Sequence, residues 1–185
     1  MIPYTIERRP DTGVTNVTMG VWLFIASETM LFGALISAYA LLRTAAADWP
    51  PALPGATAWA NTMVLVMVTA LVWRARRAPA ARARLWLGGA TLLGSLVVLL
   101  QAGEYVALID AGQRPATNTF LATYFALTGL HALHVVFGAA ANLWTIAGLA
   151  RVPVALSQGR IQGLAIYWAF VGLLWLVMVG LFYAS

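Results

Sequence analysis

The chain has 185 residues, of which 62% are hydrophobic and 9% charged, with a mean hydropathy of +0.82. Soluble domains carry roughly a quarter charged residues, so a soluble globular class is excluded and a polytopic membrane protein is indicated, with length for about five or six spans. The formal charge of +5 does not call for nucleic acid, because all eleven basic residues are arginines placed between apolar stretches, and the absence of cysteine removes disulfides, thiolate metal sites and haem-attachment motifs.

The polar start, MIPYTIERRPDTG, has no short apolar core with a cleavage site and is not expected to be a signal peptide. A first span is predicted at about 17–42, with Glu28 inside it. The following loop holds Asp48-Trp49-Pro50-Pro51 and Pro54-Gly55, which cannot continue a helix. A second, short span at about 59–73 ends in the densest charge run of the chain, Arg74, Arg76, Arg77, Arg82 and Arg84. The third, at about 85–109, is apolar until Gln101, Glu104 and Tyr105 near its end. Residues 110–118, with Gly112 and Pro115, turn the chain into a fourth span at about 119–148, which places His131 and His134 in its middle. A segment with Pro153 and Gly159 leads to a fifth span at about 161–183 that carries no charge and reads as a packing helix. The expected architecture is all-α: one transmembrane domain over residues 1–185, a bundle of five transmembrane helices.

Arginine placement gives an orientation. With the N-terminus in the cytoplasm, the inner segments hold Arg8, Arg9, Arg74, Arg76, Arg77, Arg82, Arg84, Arg151 and Arg160, against Arg43 and Arg114 outside. Nine against two is a strong positive-inside asymmetry and puts the C-terminus outside. Trp22, Trp73, Trp86 and Trp144 then fall near the inner interface, with Trp49 and Trp59 near the outer one. The run Arg74–Arg84 is a candidate contact for anionic lipid headgroups.

Ionisable groups inside a membrane are costly and face protein rather than lipid. Three residues apart on a helix, His131 and His134 share a face and are expected to point together at a neighbour. At about 1.5 Å per residue, Glu28 lies roughly 16 Å into its span from one side and His131 roughly 18 Å from the other, which is about the same depth in a core near 30 Å thick. Glu28 is therefore expected to bond His131 or His134 between the first and fourth helices. Imidazole and carboxylate are metal ligands, but a His-x-x-His pair without a third histidine is a weak metal signal. The preferred interpretation of this buried polar cluster is a hydrogen-bonded group that fixes helix register, with a proton-linked role of Glu28 as the alternative. Glu104 and Tyr105 are expected to form a helix-end polar pair reaching interfacial water, leaving membrane polarity confined to one small cluster. Small residues (Gly33, Ala34 and Ser37; Gly129, Gly138 and Ala139; Gly163, Gly172 and Gly180) mark close helix approach.

Taken together, these segments resemble subunit III of the haem–copper respiratory oxidases. WLFIASETMLFGALISAYA looks like that family's third helix with its Phe-x-x-Ser-Glu pattern. Leu100-Gln101 and Glu104-Tyr105 match Leu-Gln-x-x-Glu-Tyr, and Thr119, Phe120, Thr128, Gly129, His131, His134, Val135 and Gly138 match the Thr-Phe-Phe…Thr-Gly-x-His-x-x-His-Val-x-x-Gly signature. Tyr167-Trp168, Phe170-Val171 and Trp175 look like the start of the last helix. That helix usually reads Tyr-Trp-His-Phe-Val-Asp, whereas Ala169 and Gly172 stand in the His and Asp places. Nothing corresponds to the two additional N-terminal helices of the larger form, so the five-span form of bacterial quinol oxidases is the nearer likeness.

The resemblance implies a multi-pass accessory subunit of a bacterial cytoplasmic (inner) membrane, with no catalytic, cofactor-binding or metal residue of its own. Haem and copper are expected in partner subunits, oxidase subunit I together with subunit II, and bound phospholipid is compatible with it. The implied role is support of assembly, stability and proton uptake in aerobic respiration, with no nucleic-acid partner. Two histidines are too few to hold a low-spin haem and a haem–copper pair, which agrees independently. Alternatives are a subunit-III-like protein associated with nitric oxide reductase and, from another class, an independent small transporter.

Overall fold

The computed structural model describes residues 4–46 and 49–183. Asp48 of the first inter-helix loop and the first three residues of the polar start lie outside the described residues. The described chain forms five helices: α1 (Asn16–Ala45), α2 (Ala56–Ala75), α3 (Ala80–Asp110), α4 (Thr119–Gly148) and α5 (Val154–Phe182). Each contains an 18-residue window of mean hydropathy between 1.5 and 2.2, long and apolar enough to cross a membrane. In hydrocarbon every backbone N–H and C=O must be paired within the segment, and the helix does this without help from neighbours.

The helices extend beyond the apolar spans expected from the sequence. α2 runs from 56 rather than 59, α3 from 80 rather than 85, and α5 from 154 rather than 161. Arg74, Arg82, Arg84 and Arg160 therefore sit on helical turns, and the link between α2 and α3 shrinks to residues 76–79. The reason is that a helix does not stop where its side chains turn polar; it stops where the backbone is forced out. Pro79 and Pro153 stand immediately before α3 and α5, where a missing N–H costs nothing. Thr15 caps α1 by accepting from the Thr18 N–H at 3.3 Å, and Asn118 caps α4 by accepting from the Leu121 N–H at 2.8 Å. Gly112, at φ +78°, adopts the left-handed turn that ends α3.

Helices α2, α3, α4 and α5 form a closed ring, each packed on the next and α5 returning to α2, while among the described helices α1 packs against α4 and α5 alone. α5 is the hub of the core, burying Trp168, Val171, Leu174, Trp175, Met178 and Phe182. Trp168 is the central wedge. A Cβ on Gly138 of α4 would come within 2.7 Å of its ring, and one on Gly94 of α3 within 3.1 Å. These two positions are glycine because the indole occupies the space that any side chain would need. α1 is attached far more thinly: only 11% of its apolar window is buried, against 44% for α4 and for α5. Leu23, Met30 and Leu41 are exposed along it and form an apolar outer surface. The first loop returns to the core, with Leu53 N–H donating to the Phe182 carbonyl at 2.9 Å and Trp49 meeting Tyr39 and Phe120 edge-on.

Candidate functional site

Two polar networks are buried in the bundle, where the sequence had suggested one. The first joins α1, α4 and α5. His134 Nε2 lies 3.0 Å from Glu28 Oε2, with the Glu28 side chain 15% exposed. His134 Nδ1 lies 2.8 Å from the Leu130 carbonyl, which can only accept, so Nδ1 carries a proton. Nε2 then either donates to a Glu28 carboxylate as an imidazolium, or accepts from a protonated Glu28. Both arrangements leave the pair without net charge, which is how an acid and a base tolerate a membrane interior. Phe32 packs on the His134 ring at 5.2 Å, and Tyr167 of α5 donates to the His134 carbonyl at 2.7 Å.

His131 does not point with His134 at Glu28. Three residues of helix rotate a side chain by about 60°, and here that difference carries His131 across to α5. Its Nε2–H donates to the Val171 carbonyl at 3.1 Å, and its ring lies 5.1 Å from that of Trp175. Trp175 in turn donates to Thr62 of α2 at 3.0 Å. The two histidines thus hold two different seams. Among the described residues no three His, Cys, Asp or Glu side chains converge as they would around a metal ion.

The second network lies toward the end of α3 and was not legible from the sequence as a unit. Glu104 and Tyr105 stay partly exposed near the end of α3, and both also hydrogen-bond to neighbouring elements. Tyr105 and Thr128 share a hydrogen bond of 2.7 Å. Glu104 accepts from the Tyr183 hydroxyl at 3.0 and 3.1 Å. Because that hydroxyl has one proton, Tyr124 must donate across the 2.9 Å Tyr124–Tyr183 contact. Tyr124 itself accepts from Gln101 Nε2 at 2.9 Å, and Gln101 Oε1 accepts from Asn61 Nδ2 at 3.2 Å. Four donors from α2, α3, α4 and the end of α5 therefore run in one direction and terminate on a carboxylate, each polarising the next. Asn61, in the second turn of α2, was the available signal for this network, a polar amide inside an apolar span; Asn142, whose Oδ1 accepts from Trp168 Nε1 at 3.2 Å, stands apart from it.

Gln101 is 3% exposed. Replacing it by Leu strands Asn61 Nδ2, whose own Oδ1 already lacks a partner, at a cost of about 1–3 kcal/mol for an unsatisfied buried group. Asn61→Leu/Gln101→Leu removes both ends of that bond and is expected to be less destabilised than Gln101→Leu alone. Unfolding in mixed micelles measures both, and a double variant that simply adds the two single losses would contradict the network.

Toward α2, Ala169 and Gly172 line a groove of about 450 Å³ with Thr62 and Thr69, with no charged side chain among them. In the arginine run, Arg76 stacks over Trp73 at 4.3 Å and Arg74 lies over Trp86 at 5.7 Å, while Arg82 and Arg84 are exposed.

The chain matches the family model described as "Cytochrome c oxidase subunit III" over residues 10–185. It belongs to the cytochrome c oxidase subunit III family. It is 27% identical over 182 residues to "Cytochrome bo(3) ubiquinol oxidase subunit 3" of Pseudomonas aeruginosa, covering 91% of this chain and 84% of that protein. It is 29% identical over 175 residues to "Cytochrome c oxidase subunit 3" of Thermostichus vulcanus, with 89% and 85% covered. With the protein of the same name from Bacillus sp. PS3 it shares 26% over 193 residues, covering 98% and 91%. Subunit III membership fits the five apolar helices and makes the chain a multi-pass membrane protein. Of the residues in which the sequence resembles the family, Glu28 and His134 fall in the first network and Gln101 and Glu104 in the second, while Ser27 is exposed and bonds the Phe24 carbonyl of its own helix.

Proposed function

We propose that this chain is the accessory subunit III of a haem–copper terminal oxidase, built into the bacterial cytoplasmic membrane with its N-terminus inside. It serves the assembly, stability and proton uptake of the catalytic subunit without a redox centre of its own. The observation that carries this is the family match across residues 10–185, together with relatives named as subunit 3 of cytochrome c and of ubiquinol oxidases. Haem and copper belong to subunits I and II in this assignment. The Glu28–His134 and Glu104 networks act as register pins that hold the helices for docking. Phospholipid on the apolar outer surface of α1, and anionic headgroups along Arg74–Arg84, complete the surroundings.

The test is a mild-detergent pull-down of the tagged chain, followed by an optical spectrum and mass spectrometry. The expected result is haem absorption with a large multi-span haem–copper subunit, which also names the donor class. Recovery of a nitric oxide reductase instead would assign the chain to that complex. A colourless protein running alone, from membranes whose oxidase is intact without it, would overturn the accessory role.

A further inference from the structure

At the arginine-rich end of the bundle a cleft of about 540 Å³ opens between the segment leading into α1, the end of α2 and the first turns of α5. Arg8, Arg76 and Arg77 line it together with Thr18, Gln158 and Gln162, and no acidic side chain does. These arginines come from parts of the chain some seventy residues apart, so their convergence is a property of the fold and not of the run Arg74–Arg84. Arg82 and Arg84, from the same run, do not line the cleft.

Three guanidinium groups around one cavity repel one another unless something neutralises them, and no acidic side chain among the described residues lines the cleft to do so. Among the described residues the ion pairs are Arg9 with Asp11 and His134 with Glu28. Arg8 and Arg77 make no side-chain hydrogen bond, and Arg76 uses its flat face to stack on Trp73, which leaves its in-plane N–H donors available. Gln158 and Gln162 add neutral donors one helical turn apart. α5 begins beside them at Pro153 with no side-chain cap and no acidic residue in its first turn, so the positive end of its dipole adds to the same field. Forked N–H donors with no internal acceptor match tetrahedral oxyanions bidentately. The volume is in the range of small-ligand sites, roughly 300–1,000 Å³, which leaves room for more than one phosphate group.

We infer that this cleft binds a phosphate-bearing anion held by Arg8, Arg76 and Arg77. Such an oxyanion comes either from the headgroup of an anionic phospholipid or from a free phosphorylated solute. The inference does not depend on which respiratory complex the chain joins, so its failure and that of the subunit assignment are separately visible.

The experiment uses the full chain in phosphate-free mild detergent, with pyrophosphate, phosphatidylglycerol and phosphatidylcholine as probes. Native mass spectrometry measures retention and a thermal melt measures protection. One phosphate-bearing molecule per chain is expected. R8Q/R77Q is expected to weaken its binding at least tenfold, and R114Q/R151Q, which removes the same charge outside the cleft, less than twofold. Gln162→Glu, which places a carboxylate in the cleft and leaves every arginine intact, is expected to weaken it comparably. Circular dichroism shows whether each variant keeps its helices. Protection by pyrophosphate assigns a free solute, and protection by phosphatidylglycerol but not by pyrophosphate or phosphatidylcholine assigns a headgroup. Equal loss in both double-arginine variants means diffuse surface attraction and overturns the site, as does a wild-type chain that retains neither pyrophosphate nor phosphatidylglycerol.

Discussion

Trp168→Ala is expected to be among the most damaging single substitutions, costing about 3–5 kcal/mol. Its indole is fully buried and fills the space left by Gly94 and Gly138, so its removal opens a void at the junction of three helices of the ring. In lipid the loss is chiefly of packing contacts, because the hydrophobic drive between helices is weak there. A polar term adds to it. Asn142 Oδ1 loses the Trp168 N–H, and Asn142 Nδ2 already has no partner, so the whole buried amide is stranded. Gly138→Ala probes the same contact from the other side, and overpacking of this kind costs about 1–3 kcal/mol. Leu173→Ala, on a side chain 65% exposed, is the control and is expected to stay within about 0.5 kcal/mol. Equilibrium unfolding in mixed micelles ranks them, and a Trp168→Ala variant as stable as Leu173→Ala would show that the wedge carries no weight.

Removing Glu28 is the second large effect, and its signature is local. Breaking a fully buried ion pair from one side costs about 3–5 kcal/mol, but Glu28 keeps some exposure and His134 keeps its bond to Leu130. A loss of about 1–3 kcal/mol is therefore expected for Glu28→Leu. Glu28→Gln retains an amide N–H that can donate to neutral His134 and should recover more than half of it. In a cycle of Glu28→Leu with His134→Leu, the coupling should fall between about 0.6 and about 1.7 kcal/mol, the average and the maximum for interhelical hydrogen bonds in membranes. Because α1 has few other ties, chiefly the Tyr39 hydroxyl donating to the Leu181 carbonyl at 2.7 Å and Val21 against Gly163, the loss should appear as α1 loosening. Cross-linking between cysteines introduced on α1 and α4 should slow while α2–α3 cross-linking is unchanged. Zero coupling would reduce the Glu28–His134 contact to coincidence.

What the sequence made legible was whatever depends on one helix at a time. Apolar length located the five helices, and the fixed rise per residue placed Glu28 and the histidines at matching depth. The helix ends were harder, because Arg82, Arg84 and Arg160 look like loop residues when they are helical turns that have left the apolar region. Which histidine meets Glu28 depends on how far α4 is rotated about its axis, and no single-helix pattern contains that angle. The Glu104 network failed for a related reason. Nothing in the sequence spacing marks Tyr124 and Tyr183 as partners of Glu104 or of each other, because the direction of their hydroxyls is decided by Tyr183 folding back over α3 and α4.

The thin attachment of α1 has a consequence for how the protein is made. Glu28 and His134 are 106 residues apart, and at ordinary elongation rates of about 5–20 residues per second the second follows the first by roughly 5–20 s. Throughout that interval α1 has left the ribosome with an acidic side chain and no partner for it. Its other neighbour, α5, is synthesised later still. α1 is thus made well before the helices that seat it, and until they arrive Glu28 has no partner from α4 inside the bilayer.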